Sequence, residues 1–246
     1  MKRYACCGSV LSLLLFFALP SGAAGFTVPE KLVYNVTWAG IKAGTASLEI
    51  TNRVDSMKII STARSVDWMS VFYTVDDKVE ATMTKPEPPA FLGMPLNYRI
   101  KIREGRHRRD KEVSFDHLRH KAVYRDYLGK EKKEIDIRGK ILDPLSSFYY
   151  MRRATSEVGK PFFVDVFDNK KIWNVEVQVL RRERIKTDLG DFNTIVIKPL
   201  VKSEGLFTRR GDIYIWLTDD TKRIPVKMQT KVRIGHVTAT LAGGRY

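Results

Sequence analysis

Apolar and polar positions alternate with a period of two along most of the chain beyond residue 30, the spacing of strands with one buried face. Leu32 to Trp38 is the first such run, and Ala46, Leu48 and Ile50 continue it after a glycine-flanked turn, which predicts a hairpin. Met57 to Ser65, Phe72 to Met83, Leu96 to Arg103, Lys111 to Phe115, Ala122 to Leu128 and Glu134 to Ile137 follow. After residue 153 the rhythm resumes with Phe162 to Phe167 and with Ile172 to Val179, where Trp173, Val175, Val177 and Val179 share a face. Phe192 to Pro199, Ile213 to Leu217, Val226 to Ile234 and His236 to Leu241 complete a set of about a dozen strands at barrel or sandwich spacing. Pro86, Pro88 and Pro89 mark a loop, because proline cannot donate to a regular ladder.

One segment departs from this rhythm. Asp143 can cap free amides, Pro144 suits a first helical position, and Leu145, Phe148, Tyr149 and Arg152 recur at helical spacing. Arg152 and Arg153 fall where the helix dipole favours cations. The predicted architecture is all-β, an antiparallel closed or partly open barrel with one short helix packed on the sheet as a plug or lid. No internal repeat or low-complexity linker divides the chain, so residues 25–246 read as a single domain.

The first residues follow a different rule. Lys2 and Arg3 precede an apolar run from Val10 to Leu19, and Pro20 to Ala24 supplies a helix break and small residues. This is the pattern of a secretory signal peptide, with cleavage expected after Ala24. The run is short of the roughly 20 apolar residues a membrane-spanning helix needs. The expected product is therefore exported to the periplasm of a Gram-negative-type bacterium and is not integral to the membrane after cleavage. Cys6 and Cys7 are the only cysteines and leave with that segment, so disulfides, thiol catalysis and thiolate metal sites are excluded from the remainder.

Charge narrows the partners. The formal net charge is +15, and between Arg99 and Lys140 there are 15 Lys or Arg against 8 Asp or Glu. A cationic surface favours polyanions. For an exported protein the expected partners are a lipid or other amphiphile, or an anionic envelope polymer or protein, and not nucleic acid. In Leu96 to Arg103, Leu96, Tyr98, Ile100 and Ile102 alternate with Arg99, Lys101 and Arg103, which predicts a strand with one buried and one cationic face.

Catalytic signals are absent from the sequence. No Gly-x-Ser-x-Gly elbow, glycine-rich phosphate loop or dinucleotide fingerprint occurs, so no cofactor is expected. His117 and His120 would point to opposite faces of a strand and make a poor metal pair. Asp76-Asp77 and Asp219-Asp220 are adjacent rather than facing carboxylates, and Ser146 and Ser147 beside Asp143 are explained by helix capping.

Several segments together carry a resemblance. Leu32-Val33-Tyr34-Asn35-Val36 followed by Gly40 and Gly44, the run Asp143 to Arg152, Gly190-Asp191-Phe192-Asn193-Thr194, and Trp216 to Asp220 with Arg223-Ile224-Pro225-Val226 resemble the bacterial domain of unknown function 3108. The resemblance spans most of the chain from Pro29 onward and implies an exported β-rich domain with no assigned activity. No functional residues transfer from it.

The expected function is non-catalytic binding of a lipid-like or anionic amphiphilic ligand. An alternative is a scaffold that binds an anionic glycan or protein through the cationic sheet face. An envelope enzyme and an outer-membrane barrel rank below these, the latter because Thr238, Thr240 and His236 make a poor lipid face. The candidate site joins two aromatic groups, Trp68, Phe72 and Tyr73 with Phe148 and Tyr149, to a cationic rim of Arg99, Lys101 and Arg103.

Overall fold

The computed structural model describes residues 27–246 apart from Pro88, Pro89, Phe91, Ser156, residues 201–211 and Arg233. The expected signal segment, residues 1–24, lies outside the described residues. The fold is all-β, as its alternation predicts. In chain order the elements are β1 (Glu30–Trp38), β2 (Ile41–Asn52), β3 (Ser56–Ser65), α1 (Asp67–Phe72), β4 (Asp76–Thr84), β5 (Pro95–Glu104), β6 (His107–Asp116), β7 (Lys121–Asp126) and β8 (Glu131–Asp136). Then follow α2 (Pro144–Ala154), β9 (Phe162–Asp168), β10 (Lys171–Thr187), β11 (Gly190–Leu200), β12 (Ile213–Thr218), β13 (Pro225–Lys231) and β14 (His236–Arg245).

All fourteen strands form one antiparallel sheet in the order β8-β7-β6-β5-β4-β3-β2-β1-β14-β13-β12-β11-β10-β9. Two meanders are thus joined at the centre, where Tyr34 pairs with Leu241 and Trp38 with Val237. The sheet curls but its edge strands β8 and β9 share no ladder, so the barrel is partly open. Leu142 bridges Val166 in parallel, and its amide and carbonyl bond to Asp165 O and from the Phe167 amide. This short segment covers part of the β9 edge that would otherwise present unpaired groups.

The β9 edge tucks against the inner face of the opposite meander. Phe167 meets Phe115 edge to face with ring centroids 5.8 Å apart, and Lys170 reaches Glu131 on β8 at 3.0 Å. Because each strand alternates, the core is the concave side: Leu32, Ile50, Ile59, Ile100, Val113 and Tyr124 from the first meander, and Val177, Ile195, Ile215, Val226 and Leu241 from the second. β5 departs from the expected parity at its start. A bulge opposite Thr82 and Met83 pairs Met83 with Pro95, so Pro95 turns inward while Leu96 is exposed.

Helix α2 runs inside the curl and packs on β9, β4 and β3. Its first turn follows the sequence: Asp143 Oδ1 accepts the Leu145 and Ser146 amides at 2.9 Å each. Its last turn carries Arg152 and Arg153 as expected, with a partner the sequence does not announce. Arg152 is buried and forms a two-pronged pair with Glu30 at 2.7 and 2.9 Å. Arg152 also donates to Arg223 O and Lys222 O, so its guanidinium is well satisfied. A second difference is α1, a short helix in the gap between the predicted strands Met57–Ser65 and Phe72–Met83, which takes Phe72 from the second of them.

Candidate functional site

The odd-numbered strands of a sheet like this run toward one end and the even-numbered ones return from it. The turns β1–β2, β3–α1–β4, β5–β6, β9–β10 and β13–β14 therefore share an end, called here the upper end. Glu30, Arg223, Pro225 and Tyr246 belong to the lower end. There Tyr34 OH donates to Pro225 O at 2.9 Å, and Arg152 joins Glu30, so the lower interior is closed by buried polar contacts.

Toward the upper end the interior is not filled. Between α2 and the second meander lies a cavity of about 260 Å3. Pro144, Phe148 and Met151 line its helix side; Val164, Val166, Val175, Ile213, Ile215, Met228 and Ala239 line its sheet side, with Trp173 and Val237 toward the upper end. Its few polar neighbours are Ser147, Asp168, Gln229 and Thr230. Ser147 Oγ donates to Pro144 O at 2.8 Å and is thereby used within the helix. The opposite compartment, between β9 and β5–β7, is packed by Tyr98, Ile100, Val113, Tyr124 and Phe167 around a gap of only about 20 Å3.

Of the predicted site residues, Phe148 lines the cavity, while Tyr149 beside it is fully buried against Arg152. Burial raises the Tyr149 phenol well above its ordinary pKa, keeping it neutral. Trp68, Phe72 and Tyr73 are placed elsewhere: they belong to α1 and its end and are exposed at the upper end. Arg99, Lys101 and Arg103 lie on the convex face of β5, away from the cavity. Arg99 is bound to Asp110 and Glu112 and stacks on Tyr127, 4.0 Å from the ring centroid. Among these three, the Lys101 and Arg103 side chains are exposed.

On the neighbouring strand β6, Arg109 and Lys111 face inward. Lys111 bonds Asn169 Oδ1 at 3.3 Å and approaches Asp126 at 3.6 Å, and Arg109 Nε meets His107 at 2.7 Å. Their inward direction was available in the sequence, since Lys111 shares parity with Val113 and Phe115. Tyr124 below them is pushed up to about 12 by burial, with the nearby Asp126 carboxylate adding to the shift.

The histidines are dispersed. His117 Nε2 lies 2.5 Å from Pro95 O and its ring stacks on Phe115, whereas His120 occupies a turn. Among the described residues no group of three or more His, Cys, Asp or Glu side chains is placed to hold a metal. Nor is any helix among them long and apolar enough to cross a membrane.

Fold and cavity together define a class by shape: a partly open antiparallel β-barrel whose internal helix walls an apolar chamber. The chain belongs to the family described as protein of unknown function (DUF3108), whose model matches residues 33–242. A solved structure, the β-barrel-like protein of domain of unknown function DUF1849 from Brucella abortus, superposes with a TM-score of 0.56. That likeness covers 89% of this chain and 98% of the other at 12% identity, and so concerns the fold alone. No curated protein matches the chain.

Proposed function

We propose that this protein is a non-catalytic carrier that acts after export, in the periplasm, and holds the apolar chain of one anionic amphiphile between α2 and the β9–β14 meander. The observation that carries this reading is the apolar cavity of about 260 Å3, set beside a compartment that Tyr98, Tyr124 and Phe167 fill. The open space beside α2 thus contrasts with close packing between β9 and β5–β7, and is not loose packing throughout. At about 30 Å3 per water-sized group, the cavity accommodates a chain of roughly nine methylene-sized groups. Its head group would then lie toward Trp173 and Val237, where Lys171 stands 5.6 Å from the Trp173 ring. The overall positive charge favours an acidic head group.

Titration calorimetry with decanoate, decyl phosphate and decyltrimethylammonium tests the reading. Saturable one-to-one binding of the two anions, stronger than that of the cation, is expected. Ala239→Phe places a ring in the cavity and should weaken decanoate binding at least about tenfold, the scale of losing 1.4 kcal/mol of affinity. Its melting temperature shows whether the barrel survives. Absence of binding by all three amphiphiles to the folded wild-type chain defeats the carrier reading.

A further inference from the structure

The upper end carries a second feature that the cavity does not explain. Trp38, Ile41, Trp68, Val71, Phe72 and Ile234 are all exposed there, Val71 at 80% and Phe72 at 82%. They come from three separate turns that are tied together. Trp38 Nε1 donates to Ile234 O at 2.8 Å, the Ala39 amide to His236 O at 3.0 Å, and Trp68 Nε1 to Lys42 O at 3.2 Å. The β5–β6 turn joins them on the other side: the Gly105 amide donates to Thr74 O at 2.8 Å, and the Tyr73 ring lies against Gly105. A side chain at Gly105 would strike that ring, at a position whose φ of +55° also favours glycine. These apolar side chains therefore form one fixed patch rather than scattered exposures.

Positive charge surrounds the patch. Among the described residues of segments 38–43, 64–77, 101–108 and 231–236, seven Lys or Arg stand against four Asp or Glu. Lys42, Lys101, Arg103, Arg106, Arg108 and Lys231 are exposed. Asp76 pairs with Arg64 at 3.3 Å, and Asp77 accepts the Arg103 amide at 2.9 Å.

We propose that the upper end docks on a bilayer surface containing anionic phospholipid, with Val71 and Phe72 entering the boundary between head groups and acyl chains and the surrounding Lys and Arg meeting the phosphates. Tryptophan suits that boundary because its ring is apolar and its N–H polar, and phenylalanine belongs to the inserted apolar face. A patch of bulky apolar side chains ringed by cations is the composition by which proteins lie on membranes without crossing them. The same charge ring disfavours a second copy of this chain as the occupant, because two such ends facing each other would bring like charges together. Placement adds a further argument: Trp38 pairs directly with the cavity-lining Val237, so the docked end is the end toward which the chamber lies. The inference goes beyond the carrier reading, and its test needs no cavity ligand.

The test is flotation of the chain spanning residues 25–246 with vesicles of phosphatidylcholine alone or mixed with phosphatidylglycerol, at low and high salt. The chain should float with the mixed vesicles, less at high salt, and poorly with phosphatidylcholine alone. Val71→Ser with Phe72→Ser should reduce flotation at least about tenfold, as expected for removing inserted apolar groups. Val54→Ser with Leu118→Ser is the control, because Val54 and Leu118 are exposed at 85% and 95% in turns at the lower end. Three results overturn the proposal: no flotation with mixed vesicles, equal binding to both vesicle types at both salt levels, or equal losses from the two double variants. Self-association abolished by the upper-end variant, without vesicle binding, would assign the patch to a second copy and also overturn it. Ala239→Phe should float normally, and the upper-end variant should still bind decanoate, so failure of either proposal is visible separately.

Discussion

Where β1 starts, a glutamate, an arginine and a tyrosine are sealed inside the barrel; where β1 stops, a tryptophan is left half in solvent beside an apolar chamber. The same inward-facing row of one strand supplies both, Glu30, Leu32, Tyr34, Val36 and Trp38. The lower end thus places its polar groups inside and satisfies them, whereas the upper end leaves apolar groups outside. Buried charge requires fixed partners, so the lower end is built to stay in one arrangement. Exposed apolar area gains by being covered, so the upper end is built to meet something.

The largest effect should come from breaking the closed end. Arg152→Met leaves the Glu30 carboxylate buried without its partner, for which about 3–5 kcal/mol of destabilisation is expected. Glu30→Leu combined with Arg152→Met should recover much of that loss, since an apolar pair of similar volume removes the orphaned charge. Urea unfolding of the single and double variants measures the coupling. A single variant as stable as wild type would show that the pair does not hold the lower end.

Much of the fold is legible in local sequence and the site is legible only in part, for reasons tied to distance along the chain. Asp143 and Pro144 announce α2 because capping involves neighbours only. Inward parity is equally local, which is why Trp173, Val175, Val177 and Val179 share a face as expected. Glu30 lies 122 residues from Arg152, and nothing near either residue signals the pair. The local dipole argument places Arg152 in the last turn, where it is, but it does not supply the partner, which comes from β1. Trp68 to Tyr73 is too short to display helical period, and its rings alone do not distinguish a lining from a surface. Whether Phe148 borders a chamber or Phe167 fills a core depends on how two meanders close, which alternation does not encode.

An intermediate effect concerns the other end of α2. Burial raises Asp143 from its ordinary 3.8 to about 6, opposed by hydrogen bonds from the Ser146 hydroxyl and the Ser146 and Leu145 amides. Between those values the folded chain holds a proton that the unfolded chain has released, so this residue's contribution to stability falls as pH rises from about 4 to about 6. The separation corresponds to about 3 kcal/mol, lost by neutral pH and regained on acidification. Asp143→Asn keeps an oxygen for the cap and removes the titration. Relative to wild type, it should gain stability as pH rises from 4 to 7, with unfolding midpoints compared at both values. A constant difference between the two proteins would show that Asp143 does not titrate in this range.

The smallest effect on stability should come from the upper end, and that is what separates a docking surface from a core. Val71 and Phe72 are about four-fifths exposed, so folding removes little of their apolar area from water. Met69, on the same short helix, is the buried member, and the Ser70 hydroxyl donates to Val66 O at 3.0 Å, so α1 retains its own anchors without them. Replacing both residues by serine should change unfolding free energy by no more than about 0.5 kcal/mol, as for surface positions generally. Met69→Ala should cost about 2 kcal/mol or more through the cavity it leaves. If instead the double serine variant melts as early as Met69→Ala, the two exposed side chains support the barrel itself. The contrast between a sealed end and a docking end would then have to be abandoned.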